Sequence, residues 1–193
     1  MIDSWLAAAV GGYVLGSVPV AVLAARARGF DPRQVGDRNP GFWNMKDQLG
    51  WAGALPVLAG DTLKGAVAGL LGVALGGPAT VYIAVAAAMA GHAWPVFARL
   101  RGGRSVLTFA GGFAVICPPA FGLGVALCAA VALASRSFAA GARAGVFAAP
   151  LLQLLFTPVL QVAATGALMS FIGLRFGVAA LARRHRPARP PGP

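Results

Sequence analysis

The polar chemistry of this sequence concentrates in three short stretches. Residues 91–108, "GHAWPVFARLRGGRSVLT", place His92 and Trp94 at the end of an apolar run and then pack arginines around a glycine pair. Gly102 and Gly103 free the main chain, and Arg101 and Arg104 offer forked donors that match phosphate oxygens. Ser105 and Thr108 add hydroxyls at a helix start, where the macrodipole favours an anion. Residues 26–50, "RARGFDPRQVGDRNPGFWNMKDQLG", combine Gly36, Gly41 and Gly50 with Asn39 and Asn44. Glycines let N–H groups approach an anion closely, and asparagine amides add donors. In "GDTLKG", Asp61 and Lys64 stand three apart on one helix face and can pair. Each stretch also has a plainer reading: a loop that only fixes topology, an interfacial connector, a structural ion pair. Together, on one side of a membrane, they imply a phosphate-binding pocket between helices.

The elements that must position these residues are membrane helices. With 58% hydrophobic and 11% charged residues among 193, the chain has too much apolar surface to expose to water. Apolar segments over 5–25, 52–75, 79–98, 106–116, 119–134, 144–157 and 161–181 predict an all-α integral membrane protein of about seven transmembrane helices, some short or broken. The fourth is too short for a bilayer that needs about 20 residues, and the sixth is borderline. The stretch around Cys117, Pro118 and Pro119 therefore reads as a broken or re-entrant pair.

Residues 5–25 carry no charge and are followed at once by Arg26 and Arg28, as in an uncleaved anchor with its N-terminus outside. With that orientation 14 of the 16 basic residues fall in cytoplasmic loops, and the other two, Lys64 and Arg175, lie within helices. The expected organisation is a single transmembrane domain over 1–182 and a basic, proline-rich, disordered cytoplasmic tail over 183–193. The net charge of +11 is spread over membrane-bordering loops, which favours lipid head groups or a phosphorylated substrate over nucleic acid. Cys117 and Cys128 have no partner ligands nearby, so neither a metal site nor a disulfide framework is suggested. Gly12 with Gly16, Gly65 with Gly69 and Gly72 with Gly76 have the GxxxG spacing that lets helices approach closely.

The order of these blocks resembles the bacterial acyl-phosphate-dependent glycerol-3-phosphate acyltransferases. Gly16, Ser17, Pro19, Asp31, Arg33, Gly36, Asn39, Gly41 and Asn44 resemble that family's GS-x-P and D-x-R-x-x-GSGN-x-GATN signatures. "GDTLKG" is similar to its D-x-x-KG, and Gly91, His92, Pro95, Val96, Phe97, Gly102, Gly103 and Thr108 resemble its third block. The last signature, H-R-x-N-I-x-R-L, is matched at His185, Arg186 and Arg189. The resemblance implies a bacterial cell-membrane enzyme that moves an acyl chain from acyl phosphate to the 1-hydroxyl of glycerol 3-phosphate, releasing lysophosphatidic acid and phosphate. It implies no cofactor and no metal. The substrate-binding residues it implies are Ser17, Gly36, Asn39, Gly41, Asn44, Lys64, His92, Gly102, Gly103, Arg104, Ser105 and Thr108, with Arg104, His185 and Asn39 as catalytic candidates. An acyl phosphate is already activated, so orienting two anions and stabilising developing charge can suffice.

The sequence also departs from that pattern. Asp37 and Arg38 replace serine and glycine of GSGN, Phe42 and Trp43 replace the alanine and threonine of GATN, and Asp47 stands where an arginine is expected. Arg104 replaces a lysine, Ser105 a glycine and Ala188 an asparagine. A carboxylate 4 Å from a phosphate charge costs about 4 kcal/mol at an effective dielectric of 20 unless neutralised, for which Arg38 and Arg33 are at hand. Two further readings follow: a catalytically impaired relative that binds a lipid or phosphorylated metabolite, and a small-solute transporter. The absence of inverted halves disfavours the transporter.

Overall fold

Proline lacks the N–H that a helix interior needs, and the first apolar run breaks where Pro19 stands. In the computed structural model, which describes residues 1–184, α1 (Ile2–Gly16) and α2 (Val20–Arg26) are separate pieces. They stand where the sequence predicts one helix over 5–25. Next, α3 (Phe42–Leu75) begins ten residues before the expected start at 52 and kinks at Gly50, whose φ of 68° is left-handed. Its first two turns are amphipathic: Phe42, Asn44 and Met45 are buried while Trp43 is exposed. That mixed composition hid them from an apolar-run reading.

After α4 (Pro78–Ala93) comes a single 3-10 turn, Val96–Ala98. The short fourth pass is α5 (Val106–Ile116), which ends at Cys117; Pro118 opens α6 (Pro118–Ser135) immediately afterwards. Helix α7 (Phe138–Gln153) starts six residues before the expected 144, because the Ser137 hydroxyl accepts the Ala140 N–H as an N-cap. Helix α8 (Val159–Arg184) closes the described chain. The expected tail lies outside the described residues, apart from its first two, which continue α8.

Among the described residues, five spans are long and apolar enough to cross a membrane: Ile2–Arg26, Phe42–Leu75, Pro78–Ala98, Pro118–Ser135 and Val159–Ala182. The shorter α5 and α7 complete the expected seven. At 11 residues, α5 covers about 16 Å of a hydrocarbon core of about 30 Å.

Lipid supplies little hydrophobic drive between helices, so packing rests on close backbone approach. Gly12 and Gly16 lie flat on the α4 backbone at Ala84 and Ala88, where a Cβ would collide with the carbonyl oxygens. Gly65 and Gly111 bring α3 and α5 together in the same way. Between α4 and α5, Val85, Met89, Phe109 and Phe113 form the core, with the two phenylalanine rings stacked 5.6 Å apart.

Contacts join the basic loops at one end of the bundle. Arg33 reaches the Ala98 carbonyl, Arg104 reaches Asp37, and the Phe138 ring meets Phe42, Trp43 and Trp51. The large Phe42 and Trp43 are thereby explained. Phe42 packs into a core with Ala21, Ala25 and Met45, and Trp43 joins an interfacial aromatic cluster with the Lys46 ammonium over two indole rings.

Candidate active site

The break between α1 and α2 turns the Val18 carbonyl sideways, inside a bundle where every polar backbone group needs a partner. The Val20 N–H supplies one at 3.1 Å and Lys64 adds a second: its Nζ donates to Val18 O at 3.1 Å and lies 2.9 Å from Asp61 Oδ1. The His92 ring, from α4, brings Nδ1 to 3.5 Å from the same oxygen. All three side chains are buried. They border a cleft of about 10 Å³ shared with Arg101, Gly102 and Gly103. That is room for about one water.

The first of the basic loops, residues 27–41, is organised by two side chains. Asn44 is buried, and its Nδ2 donates to Pro32 O at 2.8 Å, Asn39 O at 3.1 Å and Val35 O at 3.2 Å. Gly36 turns over it at φ 57°, where a Cβ would run into Asn44 Oδ1. Arg33 forks onto Asp31, with Nη2 at 2.6 Å from Oδ2 and Nε at 2.8 Å from Oδ1, and its Nη1 donates to Ala98 O at 2.9 Å. The Arg33 guanidinium holds the Asp31 carboxyl at about 2, below the usual carboxylate range, against a smaller opposing effect of burial.

The second loop, residues 94–105, is closed by its own backbone. Gly102 N–H donates to Ala93 O at 3.1 Å and Gly103 N–H to His92 O at 3.0 Å, so these two amides are committed to the loop. Absence of a side chain at Gly103 makes room for the imidazole, since a Cβ there would strike His92 Nε2. Ser105, at φ 64°, donates its hydroxyl to Met89 O at 2.7 Å. Left-handed φ values also occur at Arg99 (57°), Leu100 (56°) and, across the cleft, Arg38 (60°). Such conformations in non-glycine residues cluster where surrounding structure overrides local preference, commonly at functional sites.

Besides the Arg33 bond to Ala98 O, an ion pair joins the two loops: Arg104 Nη2 lies 2.9 Å from Asp37 Oδ2. Neither Arg38 nor Arg33 neutralises Asp37, as the sequence suggested; Arg33 is taken by Asp31. Arg104 also stacks on Phe176, 4.6 Å from the ring centre, and its buried Nε has no hydrogen-bond partner among the described residues. Asp47 is exposed.

The expected site residues thus gather at one end. Lys64, His92, Gly102 and Gly103 line the cleft, Arg104 spans its mouth, and Ser17 is buried against the Val96 N–H. Thr108 is buried, and its hydroxyl has no hydrogen-bond partner among the described residues. Asn39 is half-buried, its backbone N–H on Asp37 Oδ1 at 3.0 Å and its side chain against Gly41. His185 lies outside the described residues. Sequence reasoning counted the Asp61–Lys64 stretch toward the pocket but named only Lys64 of that pair as a site residue, and it gave Arg175 no role in the site. The presence of Asp61 and Arg175 inside apolar helices was the available signal.

Among the described residues, an all-helical, multi-pass bundle with a buried charged cleft beneath two basic loops defines an integral membrane protein. A model of the family described as "Glycerol-3-phosphate acyltransferase" matches residues 6–187, and the chain belongs to that family of phospholipid synthesis. A glycerol-3-phosphate acyltransferase of Rubrobacter xylanophilus is 50% identical over 65% of this chain and 63% of its own length. Glycerol-3-phosphate acyltransferase 2 of Moorella thermoacetica is 39% identical over 79% of each. A glycerol-3-phosphate acyltransferase of Thermus thermophilus is 38% identical over 83% of this chain and 81% of its own. Among solved structures, PlsY (YgiH), an integral membrane glycerol 3-phosphate acyltransferase in its glycerol 3-phosphate form, superposes with a TM-score of 0.79. It covers 96% of both chains at 23% identity.

Proposed function

We propose that the chain transfers an acyl group from acyl phosphate to the 1-hydroxyl of glycerol 3-phosphate, at the basic end of the bundle. That end faces the cytoplasm and the N-terminus lies outside, as the distribution of Lys and Arg requires. The observation that carries the reading is the meeting of the 27–41 and 94–105 loops, through Asp37 and Arg104, over the Lys64–Asp61–His92 cleft. The acceptor phosphate is held by Arg104 and Arg101 at the cleft mouth, with Lys64 and His92 beneath.

In the reaction the acceptor hydroxyl oxygen bonds to the acyl carbon and the carbon–oxygen bond to phosphate breaks. The hydroxyl proton passes to the departing phosphate. The chain's part is to orient the two anions and to place guanidinium charge where negative charge develops. Such a reaction needs neither a cofactor nor a metal.

Purified protein with palmitoyl phosphate and radiolabelled glycerol 3-phosphate tests this. Labelled lysophosphatidate is expected, and none above a protein-free control overturns the reaction. One observation favours the impaired-relative reading: Arg104 is already engaged by Asp37. Saturable glycerol 3-phosphate binding without turnover is its signature.

A further inference from the structure

Helix α8 is apolar over most of its length, yet it carries Arg175 toward the basic end, and that guanidinium is given over to backbone. Arg175 Nη2 and Nε donate to Gly103 O at 3.2 and 3.3 Å, and Nη2 reaches Ala93 O at 3.5 Å. Its plane covers Trp94, 5.0 Å from the ring centre, and Trp94 in turn meets Phe171 edge-on at 5.6 Å. One residue on, Phe176 lies under the Arg104 guanidinium. A single turn of α8 therefore holds both strands of the 94–105 loop: the Ala93–Trp94 entry through Arg175, and the Gly103–Arg104 exit through Arg175 and Phe176.

An arginine inside a membrane helix is costly, and such residues mark functional sites. Here the geometry shows what the charge does. The carbonyl of Gly103 belongs to the peptide that joins Gly103 to Arg104, and a peptide is planar. Fixing that oxygen fixes the direction in which the chain enters Arg104. Gly103, having no side chain, offers no other restraint on that rotation. Phe176 then limits where the Arg104 side chain can go. Lysine could supply charge at this depth, but only a planar fork can reach two carbonyls while lying on an indole.

We infer that Arg175 is a positioning residue for the acceptor site: it locks the Gly103–Arg104 peptide so that the Arg104 guanidinium faces across the cleft. The inference rests on the acceptor-phosphate reading above. Its footprint is specific, because Arg175 acts on the loop that holds the acceptor and leaves donor binding untouched.

The experiment compares wild type with Arg175→Gln, Arg175→Lys and Arg143→Gln, the last removing the same charge from α7. Steady-state kinetics with palmitoyl phosphate yield separate KM values for donor and acceptor, and calorimetry measures glycerol 3-phosphate affinity without turnover. For Arg175→Gln, acceptor KM and dissociation constant rise about tenfold, with kcat and donor KM within about twofold of wild type. Arg175→Lys recovers part of the loss, to about threefold, and Arg143→Gln changes neither value. If Arg175→Gln cannot be isolated, Arg175→Lys decides by the same split. Acceptor constants unchanged in both Arg175 variants overturn the inference, as does a parallel rise in donor KM. Wild type that binds glycerol 3-phosphate without turnover removes the proposed reaction and leaves the affinity test standing. Wild type that does not bind it overturns both.

Discussion

Replacing Asp37 with asparagine is expected to improve acceptor binding, an unusual outcome for a change in a binding loop. Asp37 Oδ2 sits 2.9 Å from Arg104 Nη2, with 32% of the aspartate side chain and 14% of the arginine side chain exposed. A phosphate that uses Arg104 must compete with that carboxylate. The attraction between unit charges 4 Å apart is about 4 kcal/mol at an effective dielectric of 20 and about 1 kcal/mol in water. A half-open pair at a cleft mouth lies near the lower figure once desolvation and side-chain ordering are subtracted. Removing about 1 kcal/mol of competition lowers the glycerol 3-phosphate KM about fivefold. The assay is initial rate against acceptor concentration at saturating palmitoyl phosphate, at low and at high salt, because screening shrinks an exposed-pair effect. Arg104→Ala shifts the same KM upward. An acceptor KM that rises in Asp37→Asn would refute competition, and would mean that the carboxylate helps to hold the substrate.

Other perturbations follow from the same geometry. Lys64→Met leaves Asp61 buried without its nearest cation and is expected to cost about 3 to 5 kcal/mol, read as a lower thermal midpoint in detergent, whereas Asp61→Leu with Lys64→Met recovers much of it. Gly16→Val drives a side chain into the Ala88 carbonyl and parts α1 from α4, so folded yield in detergent falls sharply. Gly103→Ala displaces the His92 ring, and its acceptor KM rises with little change in thermal midpoint. Acid weakens the Asp31–Arg33 fork in a defined window. Asp31 is depressed from 3.8 to about 2 on folding, so its contribution is present above pH 3.8 and lost as pH falls toward 2. For a partly exposed pair that contribution is about 1 kcal/mol, and Asp31→Asn removes the corresponding slope of stability against pH.

Apolar runs declared the membrane class and the seven passes, because a lipid-facing helix advertises itself by length and composition alone. The blocks around Asp31 to Asn44, Asp61 to Lys64 and His92 to Thr108 declared which loops belong together. What the sequence hid was mostly local chemistry. The α1–α2 break was invisible to a hydropathy reading because Ser17, Val18 and Pro19 are themselves small or apolar. The first turns of α3 were hidden by their mixed face, and the start of α7 by Arg143. The roles of the donors were the least legible. Asn44 looks like an anion ligand until its amide is seen on three loop carbonyls, and the amides of Gly102 and Gly103 until they are seen on Ala93 and His92. Arg38 and Arg33 were the partners the sequence offered for Asp37, and only the crossing of the two loops brings Arg104 to it instead.

The Lys64 bond to Val18 has a bearing on how the chain is made. The two residues are 46 apart, which at about 5 to 20 residues per second separates their synthesis by about 2 to 9 s. During that interval the first hairpin arm has left the ribosome while its kinked carbonyl keeps only a tight-turn bond from the Val20 N–H. The opening arm of the protein is thus unfinished until a later arm delivers its cation. Nascent chains halted before residue 64 should be cleared by membrane proteases faster than chains halted just after α3 has emerged.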